Sequence, residues 1–323
     1  MENFKIYKAL FIVYTPFQGI CAINAIKQLQ IDNYVFALYK NFNSRQKQLE
    51  TLLIKSNIKF IYIEPLNVKS FFCKLIKHHN HYDAVFIGDY YNGMTGYKQA
   101  AISLGFNSKL YYLDDGNSTL EVFSEHSRSR YSGFINRFLY GMYDLVMKIK
   151  FTSRPYFFTM FDVTSNKFHI IKNEMSLLRG HVDNMRSGIY VIGTNATSIK
   201  LTDYHQLLSN LYAYIKKKWP TERIFYCPHK GDPASNSHMA FCQQLGMVPF
   251  DTQMSVECDF AYKKINPLVI MGFGSTALVS LHKMFPDTTI NNIVFELDDP
   301  ALEIAYKDEQ LIYEGLGIDS IEL

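Results

Sequence analysis

The stretch ALFIVYTPFQGICAINAIKQLQ (residues 9–30) decides the fold, because its periodicity changes within a few residues. It begins as a run of aromatic, β-branched and other apolar residues, which is typical of a buried strand. After Thr15 and Pro16, apolar residues recur every three or four positions, which predicts an amphipathic helix. Thr15 suits the helix cap and Pro16 the first helical position. A strand, a short polar loop and a helix form the repeating unit of a parallel α/β sheet.

The same unit recurs in both halves of the chain. In the first half, strands are predicted at residues 9–15, 34–39, 59–64, 83–89 and 109–115, and helices at 19–30 and 45–56. In the second half, strands are predicted at residues 188–194, 223–229, 246–251, 267–274 and 291–297, and helices at 203–219, 238–246 and 276–285. A less regular stretch, residues 151–187 with the aromatic run YFFTMF, separates the two sets.

This order of elements predicts an α/β protein of two Rossmann-like, doubly wound domains that face a central cleft. We expect the N-terminal domain at residues 1–180 and the C-terminal domain at residues 181–323. Ligands of such sheets bind beyond the carboxyl ends of the strands. Functional side chains are therefore expected where strands end.

The composition is that of a globular protein, with 323 residues of which 48% are hydrophobic and 20% charged. A net charge of +3, without a block of five like charges, argues against a nucleic-acid partner. The five cysteines are odd in number and include no C-x-x-C pair, which favours a reducing cytoplasm over a disulfide framework or a zinc site. The N-terminal apolar run, roughly seven residues long, is too short for a membrane span and lacks a cleavage site.

Asp114, Asp115 and Gly116 end the fifth predicted strand, within LYYLDDGNSTL (residues 110–120). A turn explains them, since aspartate caps turns and glycine accepts positive φ. A general base is the alternative explanation, since a carboxylate at a cleft wall can take the proton of an attacking hydroxyl. A shared metal ion is disfavoured, because adjacent side chains of a strand point to opposite faces.

His229 follows an apolar strand in YCPHKGD (residues 226–232), with Lys230 beside it. A histidine in this position is either structural or able to protonate or hydrogen-bond a leaving phosphate.

A loop rich in glycine and hydroxyl residues follows a later strand, in MGFGSTALVSLHKMF (residues 271–285). The amides of Gly274, Ser275 and Thr276 can converge on an anion at a helix N-terminus, and an ordinary serine cap fits the same letters. The P-loop lysine is absent and the spacing does not fit a dinucleotide fingerprint.

Two other polar side chains have both a binding and a structural interpretation. Gln18, after the first strand, could hydrogen-bond a sugar hydroxyl. Glu257, in QMSVECDF (residues 253–260), either binds ribose hydroxyls or lies on a helix surface.

With the acidic pair, the histidine and the hydroxyl pair in that order on two α/β domains, the chain resembles the bacterial sialyltransferases of the GT-B type. Those enzymes are described by an acidic-acidic-glycine motif, a histidine-proline motif and a paired-hydroxyl motif. The opening FIVYTPFQGICAINAI (residues 11–26) is similar to that of the lipooligosaccharide sialyltransferases, glycosyltransferase family 52. The resemblance spans roughly residues 8–285. Here the proline precedes His229 instead of following it, and the hydroxyl pair is Ser-Thr where several relatives have Ser-Ser.

The resemblance implies roles for residues of both domains. Asp115 would be the general base, and His229 would assist the departure of CMP. Ser275 and Thr276 would hold the phosphate of CMP. The remaining donor-side residues would be Gly272, Gly274, Glu257 and Lys230, and the acceptor-side residues Gln18, Asp114, Gly116 and Asn117.

The implied reaction is an inverting transfer of sialic acid from CMP-sialic acid to a galactose-type hydroxyl of a bacterial surface glycan or lipid-linked oligosaccharide. Because a single phosphate leaves, amides, hydroxyls and an imidazole can stabilise it, so neither a metal nor a cofactor is expected. The expected location is the cytoplasm.

Several alternatives remain open from the sequence. The chain could use a Kdo or UDP-sugar donor, be a UDP-sugar 2-epimerase, or be a non-catalytic α/β binding protein. The basic and aromatic segment of residues 126–151 fits an interdomain or dimer helix, or a helix resting on the inner face of the cytoplasmic membrane. The linkage, the natural acceptor and the formation of a homodimer are also open.

Overall fold

A computed structural model describes most of the chain in two units. The described residues are 5–40, 44–63, 82–88, 108–116, 119, 122–123, 154–175, 186–196, 201–229, 232–295, 306–307, 310–311 and 313–323. The two compact units are Met1–Leu177 and Leu178–Leu323. From the sequence, the boundary is expected after residue 180.

The described part of the first unit forms a parallel seven-stranded sheet. Its strands are β1 (Lys8–Val13), β2 (Asn33–Tyr39), β3 (Phe60–Ile63), β4 (Ala84–Ile87), β5 (Lys109–Leu113), β6 (Tyr156–Thr159) and β7 (His169–Lys172). They lie in the order β3-β2-β1-β4-β5-β6-β7. Helices α1 (Pro16–Gln28) and α2 (Ser44–Lys55) follow β1 and β2. The strand order reverses between β1 and β4, which makes this pair the switch point where such sheets bind ligands.

The described part of the second unit forms a parallel six-stranded sheet. Its strands are β8 (Ile189–Ile192), β9 (Ile224–Cys227), β10 (Val248–Pro249), β11 (Val269–Gly272), β12 (Thr289–Val294) and β13 (Asp319–Glu322). Its helices are α3 (Leu201–Lys218), α4 (Ser235–Leu245), α5 (Val256–Tyr262) and α6 (Thr276–Met284). The strands lie in the order β10-β9-β8-β11-β12-β13, so the switch point lies between β8 and β11.

A row of aromatic rings crosses one face of the first sheet and sets its register. Four neighbouring strands carry an aromatic residue at paired positions, namely Phe36, Phe11, Phe86 and Tyr111. Their rings stack with centroids 4.4–5.0 Å apart. Tyr156 of β6 continues the row at 4.7 Å from Tyr111. A slip of one residue would turn a ring to the other face of the sheet. The row therefore fixes the register of these strands.

The fold class predicted from the sequence, two Rossmann-like α/β domains, is confirmed. The expectation of five strands in each domain is wrong. In the first domain β6 and β7 arise within the stretch of residues 151–187 that looks irregular, and in the second β13 follows the last predicted strand. The run YFFTMF contains β6, of which three of four residues are buried. The pattern does not predict β6 and β7, because no segment of helical period separates their short runs.

Among the described residues, no helix combines the length and the apolar character that crossing a membrane requires. The basic and aromatic segment of residues 126–151 lies outside the described residues.

Candidate functional site

Gln18 connects the carboxyl ends of β1 and β5 in the first unit. Thr15 caps α1, and its hydroxyl oxygen accepts the Gln18 N–H at 3.2 Å. Both polar atoms of the Gln18 side-chain amide form hydrogen bonds. Oε1 accepts the Tyr14 N–H at 2.8 Å, and Nε2 donates to Asp115 Oδ1 at 2.7 Å. The orientation of this amide is therefore fixed, and with it one oxygen of the Asp115 carboxylate.

Gln18 is buried, with 1% of its surface exposed, and its side chain turns to Asp115. The contact with an acceptor sugar that the resemblance implies stays a prediction. Gly88, directly after β4, makes room for the Gln18 side chain, because a Cβ atom at Gly88 would lie 2.3 Å from Gln18 Cδ and Oε1. Sequence reasoning missed Gly88, although a glycine directly after a buried strand at a switch point is a usable signal.

The turn that follows β5 presents Asp115. The backbone N–H of Asp115 donates to Thr119 Oγ1 at 2.8 Å, and Gly116 adopts a φ of 67°, which favours glycine. The backbone of Asp115 and Gly116 thus forms the turn that one interpretation of Asp-Asp-Gly predicts. It is compatible with a general base, because Asp115 is only half-buried.

Asp114 differs from its neighbour in being completely buried. Its Oδ2 accepts the Met160 N–H at 2.7 Å. Burial raises the pKa of Asp114 from its ordinary 3.8 to about 7, against the opposing effects of the Thr159 hydroxyl, the Met160 amide and the Thr119 hydroxyl. Near neutral pH a large fraction of Asp114 is protonated, so Asp115 does not face a full second charge. The burial favours turn-shaping over acceptor contact for Asp114.

The loop after β11 leads into α6 through Ser275, which is the N-cap of that helix. Its Oγ accepts the Ala277 N–H at 3.3 Å. A hydroxyl that accepts a hydrogen bond keeps its own hydrogen and can still donate to an anion. The helix N-terminus adds a partial positive charge at this point. Thr276 is the first residue of α6.

Gly274 does not contribute its amide as expected from the sequence. Its N–H donates to Asn292 Oδ1 at 2.9 Å, so it is directed to β12 and not to an anion in the loop. Gly274 has a φ of 54°, and a Cβ atom there would lie 2.5 Å from the ring of Tyr306. Asn292 is completely buried and pairs with Gly272 in the neighbouring strand. The asparagine pair in the otherwise largely apolar strand TINNIV is the sequence signal for this residue.

Glycines also line the switch point of the second sheet. A Cβ atom at Gly272 would lie 3.0 Å from Leu278 and 3.2 Å from Ile192. A Cβ atom at Gly193, directly after β8, would lie 2.7 Å from the Tyr226 hydroxyl. Gly272 thus permits close packing of α6 and β8 at the place where a ligand is expected. Gly193 was not a sequence candidate.

His229 lies two residues beyond β9 and is half-buried. Its carbonyl oxygen accepts the Asp232 N–H at 3.0 Å. The carboxyl ends of β9 and β11 lie at the same edge of the sheet with β8 between them. The two strand ends are therefore about 10 Å apart, given the spacing of neighbouring strands.

Glu257 is a buried carboxylate on α5 and not a surface residue. Its Oε1 accepts the Ser280 hydroxyl of α6 at 2.6 Å. Burial raises the pKa of Glu257, and the hydrogen bonds from Ser280, its own backbone and Ser255 oppose that rise. The bond to Ser280 ties α5 to α6, and a contact with ribose stays a prediction.

Two predicted site residues, Lys230 and Asn117, lie outside the described residues. In the part of the chain that the structure describes, no group of three or more His, Cys, Asp and Glu side chains is arranged to hold a metal ion.

Taken together, the two parallel sheets give the chain the GT-B fold of two Rossmann-like domains. The structure is similar to that of an α/β-galactoside α-2,3-sialyltransferase from the luminous marine bacterium Photobacterium phosphoreum, with a TM-score of 0.58 and 12% identity over 97% of this chain and 98% of that chain. It is also similar to UDP-GlcNAc 2-epimerase from Methanocaldococcus jannaschii, with a TM-score of 0.57 and 11% identity over 98% of this chain and 88% of that one.

A third similar structure is S. aureus MnaA solved with UDP, with a TM-score of 0.51 and 14% identity over 96% of this chain and 89% of that one. Neither a protein-family model nor a curated protein matches the sequence. At these identities the similarity establishes the fold.

Proposed function

We propose that the protein is an inverting glycosyltransferase that moves sialic acid from CMP-sialic acid to a galactose-type hydroxyl. The observation that carries this proposal is the contact between Gln18 and Asp115, which holds a half-buried carboxylate at the end of a strand next to a switch point. A carboxylate that is oriented by a buried amide, and that still reaches solvent, has the properties of a general base.

In this proposal Asp115 and Asp114 have different roles. Asp115 takes the proton of the acceptor hydroxyl, and the buried Asp114 shapes the turn through the Met160 amide. Because burial raises the pKa of Asp114 to about 7, the pair carries less than two charges near neutral pH. That lowers the repulsion that a second full charge would impose on Asp115.

The second unit is proposed to bind CMP. The Ser275 hydroxyl and the N-terminus of α6 offer donors to the single phosphate, with Thr276 beside them. His229 donates a hydrogen bond or a proton to the phosphate as it leaves. Lys230, next to His229 in sequence, would add a positive charge.

The proposed step balances as follows. The acceptor oxygen forms a bond to the anomeric carbon while its proton passes to Asp115, and the bond between that carbon and the phosphate oxygen breaks. CMP departs with the bonding electrons, and the configuration at the anomeric carbon is inverted. Protein donors stabilise the charge that develops on the phosphate.

The test is incubation with CMP-sialic acid and a panel of galactosides, followed by mass spectrometry of the products. A sialylated galactoside from the wild-type protein is expected. Asp115→Asn keeps an oxygen that can accept from Gln18, so it should lower the rate by about 10²–10⁴-fold while CMP affinity stays unchanged. Absence of any product from the wild type, or full activity of Asp115→Asn, would refute the proposal.

A UDP-sugar 2-epimerase is the second candidate, because two similar structures are an epimerase and a protein solved with UDP. The donor base separates the two candidates. A nucleotide at 100 times its Kd should stabilise the fold by about 3 kcal/mol, so thermal shifts with CMP, CDP, UDP and GDP report the preferred base. Stabilisation by UDP and not by CMP would favour the epimerase or a UDP-sugar transferase.

A further inference from the structure

Three polar side chains near His229 in sequence or space contact one another in the order Asp232, His238, His205. Nδ1 of His238, on α4, lies 3.2 Å from Nε2 of His205 on α3. Nε2 of His238 lies 3.1 Å from Asp232 Oδ2, at an angle too oblique for a regular hydrogen bond, so this contact is mainly electrostatic. Both His238 and Asp232 are buried. A histidine and a carboxylate buried together need a reason, since burying either alone is costly.

Asp232 defines the backbone of this loop. Its N–H donates to the His229 carbonyl oxygen at 3.0 Å, and its carbonyl accepts the Ser235 N–H at 3.1 Å. Its Oδ1 accepts the Ala234 N–H at 3.0 Å. The same residue thus hydrogen-bonds both to His229 and to the residues at the start of α4, while its second carboxylate oxygen faces His238.

His238 is held in place by its neighbours on α3. The ring of Tyr204 packs edge-on against it with centroids 4.6 Å apart, and His205 is stacked on Phe241 at 4.0 Å. Tyr204 also packs against Phe273, in the loop after β11, at 5.3 Å. Its hydroxyl lies 3.4 Å from that of Tyr226, three residues before His229. The side chain of Tyr204 therefore contacts His238, the loop after β11 and the strand that leads to His229.

The titratable groups that face His238 are Asp232 from the loop and Tyr204 and His205 from α3. Burial lowers the pKa of His238, Asp232 raises it, and His205 lowers it again, with a lowered pKa as the result. Burial also lowers the pKa of His205. Near neutral pH His238 is thus mainly neutral, so it faces the Asp232 carboxylate as the dipole of a buried ring and not as a full positive charge.

We infer that Asp232 and His238 are positioning residues that set where His229 stands. Neither needs to touch a substrate in this role. Asp232 holds the carbonyl group of His229 through its N–H, and His238 contacts the carboxylate of Asp232. The inference rests on the proposed function only for the reaction that His229 assists, since the contacts themselves belong to the second unit alone.

The test is the substitution His238→Phe, which keeps a ring against Tyr204 and removes the contact with Asp232. The expected result is a fall in kcat of about tenfold or more with unchanged CMP affinity, since small displacements of a catalytic group are costly. In the His229→Ala background the same substitution should have no further effect on kcat. An equal loss in both backgrounds would overturn the inference. His238→Gln, which keeps an N–H near Asp232, should retain most of the activity.

A second readout does not depend on activity. The ring resonance of His229, assigned by its loss in His229→Ala, should shift in His238→Phe. It should not shift in His169→Phe, a matched change at an exposed histidine of β7 in the first unit. If the wild type transfers no sialic acid but this shift is seen, the proposed function fails and the positioning role stands. An unshifted resonance in a folded His238→Phe protein overturns the role. If that variant does not fold, Asp232→Asn is measured in the same way.

Discussion

Nε2 of Gln18 lies 2.7 Å from Oδ1 of Asp115 and joins the first turn of α1 to the turn after β5, across 97 positions of sequence. Because Oε1 of the same amide is held by the Tyr14 N–H, the amide cannot rotate without losing a hydrogen bond. Gln18 therefore orients the Asp115 carboxylate from a buried position.

Replacing Gln18 by alanine should release Asp115 without removing it. We expect kcat for sialyl transfer to fall about tenfold or more, because a general base must be aligned with the proton it takes. CMP affinity should not change, since CMP is proposed to bind in the second unit. Steady-state kinetics with a galactoside acceptor measure the first quantity, and isothermal titration with CMP the second.

Gln28→Ala is the matched control for that variant. Gln28 lies at the other end of α1 and holds the Lys172 carbonyl at 2.6 Å, so its loss should affect stability and not kcat. Equal effects of the two substitutions on kcat would mean that Gln18 supports the fold and not the base.

Gly88→Ala should disturb the same contact from the opposite side. Its methyl group would lie 2.3 Å from Gln18 Cδ and Oε1, which is closer than atoms can approach. We expect a fall in Tm, since overpacking of this kind typically costs about 1–3 kcal/mol. In the double variant with Gln18→Ala, the space that Gln18 leaves should accept the methyl group. The combined loss in Tm should then be smaller than the sum of the single losses, and an additive result would contradict the packing described above.

The sequence predicted the regular part of the fold because runs of apolar and β-branched residues alternate with segments of helical period. The strands from β1 to β5 and the helices α1 and α2 follow from that alternation. β6 and β7 escaped it, because no segment of helical period separates their two four-residue runs.

The residue types of the candidate site could be predicted from the sequence, but the orientation of its side chains and backbone amides could not. Asp115 stands where a strand end meets a glycine turn, and this is readable from LYYLDDGN. That Gln18 turns inward depends on a carboxylate 97 positions away and on the missing Cβ of Gly88. Likewise, the Gly274 amide turns to Asn292 because that side chain is buried beside the loop, and no local pattern announces it.

The anion site at Ser275 can be tested with two caps that differ in charge. Asparagine and aspartate both cap helices well, so Ser275→Asn and Ser275→Asp should have similar Tm values. A carboxylate beside the phosphate should repel it, and we expect CMP to bind at least about tenfold more weakly to Ser275→Asp than to Ser275→Asn. Isothermal titration at low salt measures this difference. Equal affinities would show that the phosphate does not bind at the start of α6.

Asp114 should make the stability of the protein depend on pH in a direction that is unusual for a carboxylate. Its pKa is raised to about 7 in the folded chain, whereas in the unfolded chain it should be near the ordinary 3.8. Between these values the folded chain holds the additional proton, so the free energy of unfolding decreases as pH rises, by at most about 1.4 kcal/mol per pH unit. The contribution is complete below about pH 3 and is lost as the pH rises through the folded pKa, by about pH 8.

Asp114→Asn removes this titration while keeping an oxygen for the Met160 N–H. Relative to this variant, the wild type should therefore become less stable as pH rises from about 4 to about 8, and the difference should be constant above that range. Urea unfolding of both proteins at half-unit pH intervals measures the difference directly. Parallel curves, or a wild type that gains stability with rising pH relative to the variant, would mean that Asp114 is ionised in the folded protein, and Asp115 would then have to work beside a full second charge.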